Sequence, residues 1–143
     1  MSATRLASRT VTAALRPSRT QVRSLHSTLR REQIFHNANA ETFKKAVSNE
    51  DKVVLVDFYA DWCNPCKMLS PILENIATDP EVQTASGAGV DLVTVDTDTE
   101  MELAAEHNIR GLPTVVAFRD GKPVNKFVGA LPEAQVRAFL RSL

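Results

Sequence analysis

A chain of 143 residues, 43% of them hydrophobic, can bury one core and is short for two ordinary domains. Its 17 basic and 17 acidic residues cancel, and two cysteines are too few for a disulfide-stapled secreted scaffold. No apolar run approaches the roughly 18–20 residues that cross a bilayer, which excludes a membrane-spanning helix.

The neutral total hides two unlike regions. Residues 1–31 hold seven arginines, no lysine and no acidic residue, spread among Ser, Thr and Ala. On a helical wheel Arg5, Arg9 and Arg16 fall on one side, and Ala3, Ala7, Val11 and Leu15 on the other. This is the composition of a transit peptide, and no continuous apolar stretch follows the charges as a secretory signal would require. Arg23-Ser24-Leu25-His26-Ser27-Thr28 resembles a two-step matrix-processing site: one cut after Ser24, then removal of Leu25 to Glu32. Residues 1–32 are therefore read as a cleaved mitochondrial presequence, and residues 33–143 as the working domain. That domain carries ten basic and sixteen acidic residues, a net charge of −6, the wrong sign for nucleic-acid binding.

From Gln33 onward the elements alternate. Ile34–His36 suits a short strand. Asn37 or Asn39 can cap a first helix carrying the Phe43 and Val47 pair. Residues 53–59, VVLVDFY, are apolar on both faces, as a central strand covered on both sides must be. A helix is expected over 63–78 with a stripe of Met68, Leu69, Ile72, Leu73 and Ile76, interrupted by Pro71. A turn at 86–89, a strand at 92–95, a short helix at 100–107 and a strand at 114–118 follow. Asp120-Gly121 signals a hairpin into a strand at 124–128. Val136, Phe139, Leu140 and Leu143 mark a last helix. The order β-α-β-α-β-α-β-β-α predicts an α/β fold with a central mixed β-sheet flanked by helices.

The chemistry centres on Cys63-Asn64-Pro65-Cys66. Cys63 falls at a strand-to-helix junction, where free N–H groups and the helix dipole favour a thiolate and lower a thiol pKa of about 8.5. Pro65 suits the first helical turn. Cys66 lies one turn in. The expectation is one exposed, acidic thiol and one sheltered thiol: Cys63 attacks a target disulfide and Cys66 resolves the mixed disulfide. Zinc would need four ligands, and only His36 and His107 could join the pair, neither at a helpful spacing. Haem attachment would need His after the second cysteine, where Lys67 stands. A structural disulfide closing so short a loop would add little stability.

The segment Val56-Asp57-Phe58-Tyr59-Ala60-Asp61-Trp62-Cys63-Asn64-Pro65-Cys66-Lys67 closely resembles the active-site segment of the thioredoxin family. Ile109-Arg110-Gly111-Leu112-Pro113-Thr114 resembles the family's second signature. Phe118-Arg119-Asp120-Gly121 and Val128-Gly129-Ala130-Leu131 resemble its hairpin and its glycine-containing edge, and Pro71 its helix-kinking proline. The likeness covers nearly all of residues 33–143, with the motifs in the family's order. It implies the thioredoxin fold and a protein-disulfide reductase with no bound cofactor and no metal.

By the resemblance, Asp57 accepts the proton that activates Cys66, and Pro113 is a cis-proline facing the disulfide. Trp62, Pro65, Leu112, Gly129 and Ala130 form the docking surface for substrate. The same likeness implies recycling by an NADPH-dependent thioredoxin reductase, and service to peroxiredoxins and other disulfide-containing proteins. It implies a monomer in the mitochondrial matrix, without nucleic acid or stable membrane association. Two positions depart from the pattern. Asn64 replaces the usual glycine, and Leu92 stands where many bacterial members place a lysine near the buried aspartate. The competing readings are a glutathione-linked or disulfide-forming oxidoreductase and a redox-silent docking subunit on the same fold.

Overall fold

A strand that is apolar on both faces needs cover above and below. The computed structural model describes residues 33–143, and the targeting segment assigned to residues 1–32 lies outside them. Along the described residues the elements run β1 (Ile34–Phe35), α1 (Ala40–Val47), β2 (Lys52–Tyr59), α2 (Asn64–Thr78), β3 (Gly89–Asp96), α3 (Met101–Glu106), β4 (Thr114–Arg119), β5 (Lys122–Val128) and α4 (Glu133–Arg141). Every element expected from the sequence is present in the expected order. The sheet order is β1-β3-β2-β4-β5, with β1, β3 and β2 parallel and β2, β4 and β5 antiparallel. Strand β2 therefore sits at the centre.

Alternation along the strands divides the core into two layers. Val53 and Leu55 of β2 join Leu69, Leu73 and Ile76 of α2 and Val136 and Leu140 of α4. Val54, Val56 and Phe58 join Phe43 and Val47 of α1 and Leu103 of α3 on the opposite face. By the same alternation Asp57 points to the α2 side. The two faces of one eight-residue strand thus decide where four helices pack.

The stripe of α2 is narrower than the sequence suggests. Leu69 and Leu73 are fully buried, but Met68 is 70% exposed. A residue next to Leu69 on a helix lies about 100° round the axis, which carries Met68 off the sheet and onto the rim. The edge strand β5 is largely exposed, with Val124 and Val128 outside the core.

Asn39, not Asn37, caps α1: its side chain accepts a hydrogen bond from the Thr42 N–H at 2.9 Å. Asn37 instead adopts a left-handed φ of 49° and accepts from the Tyr59 hydroxyl. Asn39→Ala is expected to lower the unfolding free energy by about 1 kcal/mol, read by urea denaturation, with Asn37→Ala leaving the helix cap intact. No helix among the described residues is long and apolar enough to cross a membrane.

Candidate active site

Strand β2 ends at Tyr59, and the chain turns through residues 60–63 into α2. Cys63 is the N-cap of that helix, with extended backbone, and its Sγ accepts a hydrogen bond from the Cys66 N–H at 3.3 Å. Pro65 occupies the first turn, where a missing N–H costs nothing. Pro71 sits mid-helix and removes the bond that the Lys67 carbonyl would otherwise accept.

Cys63 and Cys66 form a disulfide, with Cα atoms 5.3 Å apart. The sequence reading of one exposed and one sheltered sulfur needs correction for this state: Cys63 is 4% exposed and Cys66 1%. Ala60, Tyr59 and Leu112 pack around the pair. What remains unequal is position. Cys63 stands at the helix tip between exposed Trp62 and exposed Asn64, while Cys66 lies inside the first turn, where its carbonyl accepts from the Ser70 hydroxyl at 3.0 Å.

Trp62 is 69% exposed, yet it is held: its indole Nε1 donates to Asp98 Oδ2 at 3.0 Å. An apolar ring kept at the surface by a hydrogen bond is a presented contact, not a core residue. A cleft of about 260 Å³ runs from Trp62 to Ile109, Arg110, Gly111 and Leu112. Beyond it the Leu112–Pro113 peptide bond is cis, with Pro113 buried and Leu112 half-buried against the cysteines. Gly129 has φ 95°, a region closed to most side chains, and its N–H donates to the Pro113 carbonyl at 2.8 Å. Ala130 is exposed beside it. Residues 62–66, 112–113 and 129–130 thus come from the ends of β2, β4 and β5 and the start of α2.

Asp57 is fully buried, and neither carboxyl oxygen has a hydrogen-bond partner. Its carboxyl pKa is raised from 3.8 to about 7 by desolvation. It borders a cleft of about 320 Å³ that His36, Tyr59, Ser70, Glu74 and Leu92 also line. Leu92 is 1% exposed and apolar, so the position that would carry a lysine brings no cation to the aspartate. A buried carboxyl of this kind can take up a proton near neutral pH.

Three contacts of the site were not read from sequence: Asp98 to Trp62, Ser70 to Cys66, and Tyr59 to Asn37. Asp98 belongs to an Asp-Thr-Asp run just after β3 whose reach to Trp62 depends on the parallel pairing of β2 and β3. No local pattern carries that information.

The thioredoxin family model matches residues 34–142. A thioredoxin of Mycoplasmoides gallisepticum is 40% identical over 106 residues, which is 74% of this chain and 98% of that protein. A mitochondrial thioredoxin of Bos taurus is 36% identical over 123 residues, 86% of this chain and 70% of that protein. Among solved structures, an N21Q mutant thioredoxin from Halobacterium salinarum superposes with a TM-score of 0.67 at 32% identity, covering 78% of this chain and 91% of that one. With this fold, a closed cysteine pair at the tip of α2 and a family match over nearly all described residues, the chain belongs to the thioredoxin family of dithiol–disulfide oxidoreductases.

Proposed function

We propose that this chain reduces disulfides of other proteins in the mitochondrial matrix, and that an NADPH-dependent thioredoxin reductase returns it to the dithiol. The observation that carries the reading is the Cys63–Cys66 disulfide at the N-terminus of α2, the helix that packs on the same face of β2 as a buried, unpartnered Asp57.

The cycle starts from the dithiol. The Cys63 thiolate attacks one sulfur of the target disulfide, forming a mixed disulfide and releasing one target thiolate. Asp57 takes the Cys66 proton, through water where the two do not touch. The Cys66 thiolate then attacks Cys63 Sγ, which closes the Cys63–Cys66 bond and releases the second target thiol. Two electrons have passed to the substrate, and the reductase restores them. Trp62, Pro65, Leu112, Gly129 and Ala130 would receive the substrate, with the Leu112 backbone offered to an extended segment as an added strand. Peroxiredoxins and other disulfide-containing matrix proteins fit that description. The arginine-rich, acid-free residues 1–31 and the mitochondrial relatives support the location.

The test follows NADPH oxidation by residues 33–143 with a mitochondrial thioredoxin reductase and insulin as disulfide substrate. Steady turnover is expected. Activity with glutathione but not with the reductase would make it a glutathione-linked oxidoreductase. A folded protein inactive with both would be a docking subunit. For the location, the full chain presented to isolated mitochondria should become shorter and protected from added protease.

A further inference from the structure

We propose that the Glu32–Gln33 bond is a maturation site, and that the α-ammonium group exposed there docks on Asp91 to complete a buried charge cluster at the foot of the sheet. The inference rests on the matrix reading above. It deepens that reading by giving the cut a structural purpose. The cut itself is hydrolysis by a matrix peptidase. Water adds across the bond, the carboxylate leaves on Glu32, and Gln33 keeps the amine.

Two independent observations meet at Gln33. In the sequence, Arg23-Ser24-Leu25-His26-Ser27-Thr28 resembles a two-step processing site, which would put the second cut after Glu32. In the structure, the Gln33 nitrogen lies 2.9 Å from Asp91 Oδ1. The Gln33 carbonyl accepts from the Leu92 N–H at 3.0 Å, so the residue is pinned on both sides of its Cα. The nitrogen that the cut would convert to an ammonium is thus already held on a carboxylate.

That carboxylate is itself built in. Its side chain is 3% exposed, and Oδ1 also accepts from Lys52 Nζ at 2.6 Å, while Oδ2 accepts from Asn49 Nδ2 at 3.4 Å. Lys52 begins β2 and Asp91 is the third residue of β3, at the end of the sheet opposite the disulfide. An uncut chain offers Asp91 one neutral N–H. A cut chain offers three donors and a positive charge, which adds an ion-pair attraction to a bond that until then is charged on the acceptor side only. Gln33 is exposed, so the two remaining ammonium protons reach water. The adjoining cleft brings Glu41 and Lys45 of α1, one charge of each sign, to face the same group. The Lys52 ammonium shares Asp91 Oδ1 with the incoming group, so the cluster joins two cations on one carboxylate.

Residues 33–143 hold both layers of the core and the whole family match, so the domain can be studied alone. The experiment has two parts. Full-length chain is imported by isolated mitochondria and the N-terminus of the recovered protein is read by mass spectrometry. Gln33 is expected as the first residue. Import with a start at Leu25 or elsewhere would overturn this inference and leave the matrix reading standing. An unimported, uncut chain would overturn the matrix reading first.

In the second part, thermal unfolding is compared for chains beginning at Gln33, at Glu32, and at N-acetylated Gln33. The free Gln33 start is expected to have a Tm higher by about 4 °C than the other two. The acetylated chain keeps the N–H and loses only the charge, so equal Tm values would overturn the proposed docking even if Asp91→Asn fails to fold. If Asp91→Asn does fold, the difference between starts should vanish. Cyclisation of Gln33 to the lactam, which needs a neutral amine and releases ammonia, should be slow in the native chain and faster in Asp91→Asn.

Discussion

A chain carrying Cys66→Ser is expected to stall as a mixed disulfide with its substrate, whereas Cys63→Ser forms no adduct at all. The asymmetry follows from the helix that the two residues open. Cys63 caps α2, and the Cys66 N–H already points at its sulfur at 3.3 Å. Once the disulfide is reduced, that N–H and the other free N–H groups of the first turn stabilise a thiolate on Cys63, which stands at the helix tip between exposed Trp62 and Asn64. A serine hydroxyl there is not ionised and does not attack a disulfide. Cys66 lies one turn inside, where the proposed cycle gives it the second displacement. Without it the first adduct persists until another thiol arrives. Steady-state reduction of insulin should fall at least about 1,000-fold in either variant. Non-reducing electrophoresis separates them: a band at the summed mass for Cys66→Ser, none for Cys63→Ser. An adduct through Cys66 in the Cys63→Ser chain would reverse the assignment.

Much of this arrangement is legible in the sequence because periodicity reports burial. Residues 53–59 are apolar in both registers, and that alone makes β2 central and demands helices on both faces. Within that stretch Asp57 is the one charged residue, so its cost is visible before any coordinate. The narrowing of the α2 stripe is less legible, since Met68 and Leu69 are equally apolar and only the position of the sheet decides which is buried. The Lys52–Asp91 pair is hidden altogether: 39 residues separate the partners, and each reads as a solvated strand-end charge until β2 and β3 are paired. The cis bond before Pro113 follows from no composition or spacing, because about 5–6% of X–Pro bonds are cis and only the resemblance to a family points to it. The burial of Cys63 is not legible in sequence, because Ala60 and Leu112, which pack against it, are brought there by the loops after β2 and before β4.

Asp57→Asn is expected to make the protein more stable, by an amount that grows from pH 4 to about 7, and a slower reductant, by an amount that grows as pH rises through 7. The carboxyl is fully buried without a hydrogen-bond partner, and burial raises its pKa from 3.8 to about 7. Below pH 3.8 the group is protonated in the folded and unfolded chains alike and has no effect. Between there and about 7 the unfolded chain ionises while the folded chain holds its proton, so stability falls as pH rises. Above 7 both are ionised and the loss is complete, at about 4 kcal/mol. Asparagine copies the shape of the protonated acid and never ionises. Its advantage in urea denaturation should be near zero at pH 4 and about 2–4 kcal/mol at pH 8.

The kinetic effect has the same origin and the opposite value to the cell. Only the ionised carboxylate can accept the Cys66 proton, so the wild-type rate of mixed-disulfide resolution should rise with pH through about 7. The variant lacks that limb, and at pH 8 it should resolve about 10–100-fold more slowly, the scale of a lost general base acting through water. A carboxyl that was merely buried would show the stability coupling and not the kinetic one. A wild-type resolution rate flat across pH 7 would remove Asp57 from the cycle, and an Asn variant with no stability advantage at pH 8 would show that burial does not raise this carboxyl. The combined result would show why an unpaired carboxyl stays in the centre of an otherwise apolar strand: the proton it takes from Cys66 requires a site where charge is disfavoured, and the fold carries that cost throughout its working range.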